Sequence, residues 1–238
     1  MAPDLTREEF ADGIETLHRR LSAMGQLALG LVEDALVAFY ACDAQAARAA
    51  MTADDEIDRI DVEIEQHAVE LLTAAAATCI TVAPATIRQL LTVVKVNNEV
   101  ERIADAGGEI AALAAVADAG QRDLPATTRV MTNSVVGLMR DAMRAFARQD
   151  ADVARVVLAS EHVVEGFKAR ILRTAEQRVA AGAMSVDAAF NLQELVSHCM
   201  FIADHCTNIA EQVIYMQTGL IVRHTDEQWV ERPSAEEP

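Results

Sequence analysis

A long internal repeat is the feature that most restricts what this chain can fold into. Leu31, Asp34, Ala35, Ala38, Phe39, Asp43, Ala44, Ala47 and Arg48 return 107 residues later as Leu138, Asp141, Ala142, Ala145, Phe146, Asp150, Ala151, Ala154 and Arg155. So many identities at one constant offset do not arise by chance. Farther along, Ile103, Ala104, Asp105, Ile110 and Ala111 return as Ile202, Ala203, Asp204, Ile209 and Ala210, now offset by 99. The second copy is therefore eight residues shorter. The loss is expected in the turn between its second and third segments, where length changes cost little. A unit of roughly 110 residues exceeds any solenoid repeat, so two fused domains are expected rather than an array.

Within each copy the apolar residues recur with helical period. Leu17, Leu21, Met24, Leu27/Leu31, Ala35 and Phe39 mark a first helix that stops near Cys42. Asp43 opens a second as its N-cap, with core positions Ile57, Ile60, Ile64, Ala68 and Leu71. A third begins after Pro84 and runs through Val96, Val100, Ile103, Gly107 and Ile110, and Pro125, after a turn at 120–123, starts the second set. The composition agrees, with 52% hydrophobic residues but only 4% aromatic ones, the usage of long helices rather than strands. The expected fold is all-α, two tandem pseudo-symmetric three-helix bundles built from six long helices. The first bundle covers residues 5–120 and the second 125–220, each with its own core, and an acidic flexible tail follows at 225–238.

A formal net charge of −17 repels phosphate backbones and anionic leaflets, so nucleic acid is excluded as a partner and membrane contact is expected only through another protein. Met1, Ala2, Pro3 and Asp4 do not begin a signal peptide. The longest uncharged run, 71–87, is Ala/Thr-rich and holds Pro84; it falls short of the roughly 20 apolar residues of a spanning helix. The four cysteines, 42, 79, 199 and 206, form no Cys-x-x-Cys pair and read as reduced core thiols of a cytoplasmic protein.

Acidic residues are patterned. Asp54, Asp58, Asp61 and Glu65 form one stripe on the second helix, beside the Ile57/Ile60/Ile64 core line, and Glu101, Asp105 and Glu109 form another on the third, with Asn98 beside them. Like charges at i, i+4 destabilise a helix by a few tenths of a kcal/mol per pair. The stripes are either solvated faces or the hard-oxygen ligands of a multivalent cation. In the second copy Glu161 and Glu165 replace Asp54 and Asp58, and Asp204 replaces Asp105, while Lys168 and Met200 stand for Asp61 and Glu101. A second cation site should be weaker or absent.

Catalytic constellations are scarce. Glu15-x-x-His18 is the one Glu-x-x-His pair, whereas a ferritin-like di-iron centre needs two. There is no helical His-x-x-x-His, no Gly-x-Ser-x-Gly elbow and no phosphate loop. His205, beside Asp204, is expected to make a structural hydrogen bond.

Asp54-Asp55-Glu56-Ile57-Asp58, Glu101-Arg102-Ile103-Ala104-Asp105 and the run from Ile202-Ala203-Asp204-His205 through Asn208-Ile209-Ala210-Glu211 resemble the signature segments of the PhoU family. Val213-Ile214-Tyr215, Thr218-Gly219 and Val222-Arg223-His224 close the chain as such proteins end. The resemblance implies a non-enzymatic regulator that restrains phosphate uptake and the phosphate-starvation response. Its implied partners are the ATPase subunit of the phosphate ABC transporter and a sensor histidine kinase, with a homodimer as the assembly. It also implies iron, zinc or another divalent or trivalent cation on Asp54, Asp58, Glu101 and Asp105, then on Glu161, Glu165, Asp204 and Asn208. Ala106, Glu109 and Ala112, and the pair Met200-Phe201, depart from the family pattern. The rival expectation is a carboxylate-bridged metalloprotein with a redox or storage role.

Overall fold

The computed structural model describes residues 5–116, 124–225 and 228–233. Six helices run through them: α1 (Arg7–Ala41), α2 (Ala44–Thr78), α3 (Pro84–Val116), α4 (Ala126–Arg148), α5 (Ala151–Ala180) and α6 (Val186–Thr218). Two short strands follow, β1 (Leu220–Thr225) and β2 (Gln228–Pro233). The turn expected at 120–123 lies outside the described residues.

Local chemistry at the helix ends explains several of the repeated identities. Asp43 Oδ1 accepts the backbone N–H groups of Gln45 and Ala46 at 2.9 and 3.0 Å. Asp150 repeats this cap on Asp152 and Val153 at 3.0 and 3.1 Å. Each cap answers donors that the first helical turn leaves unpaired, worth about 1 kcal/mol. Just before them, Cys42 (φ 51°) and Gln149 (φ 54°) take the left-handed conformation and reverse the chain. Thr6 and Glu9 form a reciprocal capping box on α1.

The missing eight residues come from helix ends rather than from the turn. The two connections, 79–83 and 181–185, have equal length. The counterpart of Thr78 would be residue 185, yet α5 ends at Ala180; that of Pro84 would be 183, yet α6 begins at Val186. At 1.5 Å per residue the second hairpin is drawn in by about 6 Å. The two connections differ in their caps: Cys79 ends α2 in the left-handed conformation, whereas Ala181 ends α5 in the right-handed one and the Ser185 side chain caps α6.

Each three-helix set packs internally, and the sets join where α1 meets α4 and α3 meets α6, so counterpart helices lie against each other. Glu33 and Arg140, which occupy equivalent positions in the two copies, are ion-paired at 2.5 Å. A contact between equivalent positions marks the axis of a pseudo-twofold arrangement. The apolar cluster is continuous across both sets. The separate cores expected for the bundles are therefore fused, because α3 and α6 are apolar on the sides that face each other as well as on those facing their own bundles.

Leu27, expected in the core, is 41% exposed; Ala28 and Leu31 take the inward positions. Ile60 is only half-buried. An 18-residue stretch of α1 is apolar enough by composition to cross a membrane, yet more than half of it is buried inside the protein, as expected of a core helix. Among the cysteines, Cys199 and Cys206 are buried, with burial pushing the Cys199 thiol up to about 12. Cys42 is half-buried and Cys79 exposed; both are left-handed helix C-caps rather than core thiols.

The tail also differs from expectation. Residues 220–225 and 228–233 form an antiparallel hairpin, with Leu220 opposite Pro233 and Thr225 opposite Gln228. Ile221, Val222, Trp229 and Val230 are residue types that favour strands. An isolated hairpin is marginal in water; here β1 packs on α6 and Val222 is buried.

Candidate functional site

Asp54 and Asp58 lie one turn apart on α2, and α3 brings Asp105 against them. One oxygen from each of these three carboxylates lies within 4.8 Å of the others. The close approach depends on two small residues. A Cβ at Gly107 would stand 2.2 Å from Leu31 Cδ2, and one at Gly108 would stand 3.1 Å from Asp54 Oδ2. Gly107 thus seats α3 on α1 while Gly108 seats it on α2. In the second copy these places are held by Cys206 and Thr207, both buried, so that copy lacks the same clearance.

The electrostatics follow from burial and crowding. Asp54 is pushed up to about 6 by burial first, then by Asp105, Asp58, Asp55 and Glu109. Burial and neighbouring carboxylates also raise Asp105, Glu101 and Asp61. Crowded carboxylates disfavour each other's ionised form. Asp54 Oδ1 is buried and accepts no hydrogen bond. Such a set stores a preference for added positive charge, whether a proton or a cation.

The stripe continues into a groove of about 820 Å³ between α2, α3 and α6, lined by Asp61, Glu65, Glu99, Glu101 and Asn208 among others. Asn97, buried on α3, donates its amide to Asp61 Oδ1 at 2.5 Å and to the Asp61 carbonyl at 3.1 Å, which fixes the two helices in register.

The eight expected site residues separate into three groups. Asp54, Asp58 and Asp105 converge, and Glu101 lies close enough to feel Asp105, Asp61 and Asp58. In the second bundle Glu165 and Asp204 interact, but His205 and Lys168 oppose the upward shift that burial imposes on Asp204. No third acid joins Asp204 and Glu165, or Glu161 before them, in a compact set among the described residues. Asn208 belongs elsewhere: its amide donates to Glu99 Oε2 at 3.0 Å, across the junction of the bundles.

Glu99 is the residue that spacing did not reveal. His205 Nδ1 meets the same Oε2 at 2.5 Å, and the Phe201 ring lies against His205 with centroids 4.2 Å apart. Burial alone would raise the Glu99 carboxyl, but the bonds from His205 and Asn208 outweigh it and hold the group below its usual value. The expected structural hydrogen bond of His205 thus joins α6 to α3. Its partner has no acidic counterpart in the other copy, where His198 stands, so the repeat could not point to it. His18 is likewise committed, to the Phe146 carbonyl at 3.0 Å, and burial lowers its pKa.

Two stretches of the chain, 21–114 and 128–213, match the family model described as PhoU domain, one in each bundle. The PhoU homolog 1 of Thermotoga maritima, a phosphate-specific transport system accessory protein, is 25% identical over 212 residues, covering 88% of this chain and 89% of that one. The Pseudomonas aeruginosa homolog is 27% identical over 219 residues, covering 91% and 88%. The crystal structure of PhoU from P. aeruginosa superimposes with a TM-score of 0.80 at 26% identity, over 88% of this chain and 99% of that chain. The phosphate transport system regulatory protein PhoU from Streptococcus pneumoniae gives a TM-score of 0.80 at 20% identity, over 90% and 99%, a likeness of fold. With a family match in both bundles and relatives aligned over nearly their whole length, this chain belongs to the PhoU family of phosphate-transport accessory proteins.

Proposed function

We propose that the chain is a negative regulator of phosphate uptake and of the phosphate-starvation response. It acts in the cytoplasm by contact with the ATPase subunit of a phosphate ABC importer and with the cognate sensor histidine kinase, assembles as a homodimer, and is not an enzyme. The observation that carries this reading is the family match in both bundles, with relatives described as accessory proteins of phosphate-specific transport. The site chemistry supports it. His18 and His205 are both tied into structural hydrogen bonds, and burial holds the Cys199 and Cys206 thiols protonated, so these groups are unsuited to proton transfer or nucleophilic attack. Deleting the gene and measuring phosphate uptake and a starvation-responsive reporter in phosphate-rich medium tests the function. Derepression restored by the wild-type gene is expected; an unchanged response refutes the reading.

A second function of the same chain is favoured by the convergence of Asp54, Asp58 and Asp105 beside the unpartnered Asp54 Oδ1. These residues, with Glu101, would hold a multivalent cation that supplies the missing positive charge. An all-carboxylate donor set suits Mg²⁺, Mn²⁺ or ferric iron better than zinc, which prefers nitrogen and sulfur. Glu161, Glu165 and Asp204 form at most a weaker second set. Elemental analysis of protein purified without chelator tests this: near-stoichiometric metal that disappears in Asp105→Asn is expected, and substoichiometric metal in the wild type removes the proposal.

A further inference from the structure

In this strongly acidic protein one groove is lined by two arginines and a single acidic residue, Glu33. Helix α4 bears four arginines and one aspartate, a formal +3 within a chain of −17. Two of those arginines, Arg129 and Arg140, line a cavity of about 670 Å³ between α4 and α1, together with Tyr40, Leu36, Val37 and Val136. Their backbone positions are eleven residues apart, about 16 Å along the helix.

The two arginines are not equivalent. Arg140 is paired with Glu33 at 2.5 Å. The Arg129 guanidinium lies over the Tyr40 ring at 4.1 Å and has no carboxylate partner among the described residues. The cation–π contact holds the guanidinium against the ring without neutralising its charge, a preorganised seat for an anion. Tyr40 is itself fixed by its hydroxyl contact with Thr132 at 3.0 Å. Between the arginines the groove offers Val37, which at 65% is the most exposed large hydrophobic side chain among the described residues. An exposed aliphatic beside a preset cation describes a docking surface rather than a solvated helix face.

We propose that the α1–α4 groove binds an acidic, amphipathic segment of a partner protein, with a carboxylate on Arg129 and an apolar side chain over Val37 and Val136. A lone oxyanion would leave most of the cavity unfilled, and a flat bilayer surface does not fill a groove between two helices. The inference rests on reading this protein as a docking regulator, and it adds which surface is used and which chemistry that surface accepts.

The experiment uses the full chain and a fluorescein-labelled helical peptide of sixteen residues with a Leu/Ala face and Glu three turns apart. Binding is expected to weaken at least about tenfold in Arg129→Glu and in Val37→Asp, and with salt. Both positions are exposed, so unchanged circular dichroism confirms folding. Equal binding by wild type and variants, equal binding of a Gln-for-Glu peptide, or no binding at all overturns the proposal. Capture by phosphatidylserine vesicles in place of the peptide overturns it in favour of a lipid surface. A dimer that dissolves in Arg129→Glu while the peptide goes unbound overturns it in favour of self-association. The two readings fail separately: a silent peptide assay sinks the groove alone, whereas a gene deletion without effect on the phosphate response sinks the regulatory function alone.

Discussion

Replacing His205 by Ala removes the donor that joins α6 to Glu99 on α3 and leaves that carboxylate with Asn208 alone. His205 is 6% exposed. A hydrogen bond to a charged group contributes about 1.5–3 kcal/mol. Glu99, whose side chain is 20% exposed, recovers part of that loss through water, so about 1–2 kcal/mol is expected. For a protein of this size that lowers Tm by about 2–8 °C. Urea and thermal unfolding at pH 7 measure both quantities. Glu99→Gln, which removes the charge but keeps the shape, should cost less, about 1 kcal/mol. Its pH dependence has a definite sign. The folded-state pKa of Glu99 is depressed below 4.5, so the stabilisation is complete above the unfolded value and is lost as pH falls through the folded one. The gap between wild type and Glu99→Gln should therefore close on acidification. A His205→Ala protein within about 0.5 kcal/mol of wild type would refute the reasoning, as would a Glu99→Gln gap that persists unchanged into strong acid.

The acidic trio has the opposite sign. Asp54 titrates near 6 when folded, against 3.8 normally, so its ionisation opposes folding, increasingly as pH rises from 3.8 through 6. In metal-free protein Asp54→Asn should match wild type near pH 4 and exceed it by about 1–2 kcal/mol at pH 7, measured by urea unfolding. Gly108→Val places side-chain atoms where Asp54 Oδ2 now sits and should abolish any rise in Tm on adding Mn²⁺, while a retained rise would argue against convergence of the trio. Gly107→Leu, which meets Leu31, should cost about 1–3 kcal/mol by overpacking, seen in the same unfolding assay. Asp43→Ala and Asp150→Ala should each cost about 1 kcal/mol, because the two caps are copies.

The duplication and the helix phases were legible because repeated identities report repeated local chemistry. Asp43 and Asp150 recur as N-caps, and the inward residues of α2 and α3 follow a single period. The α2–α3 acidic stripes were legible for the same reason. Contacts between the copies were not. Glu99 and His205 lie 106 residues apart and neither has a chemically equivalent counterpart, so neither periodicity nor repetition signals their pairing. Asn208 was grouped by position with the second acidic set, but its helix turns it toward the other bundle. The continuous core was also hidden, because an apolar face on α3 or α6 does not record which neighbour will cover it. The C-terminal hairpin escaped notice since a short strand beside charged residues gives a weak pattern next to six long helices, and its anchor is a tertiary contact with α6.

Regulation by docking is tested most directly by affinity purification of the tagged full chain from cells grown in high phosphate. Recovery of the phosphate importer's ATPase subunit and of the sensor kinase, in amounts above those from a tag-only strain, is the expected result. Recovery of neither would contradict the account.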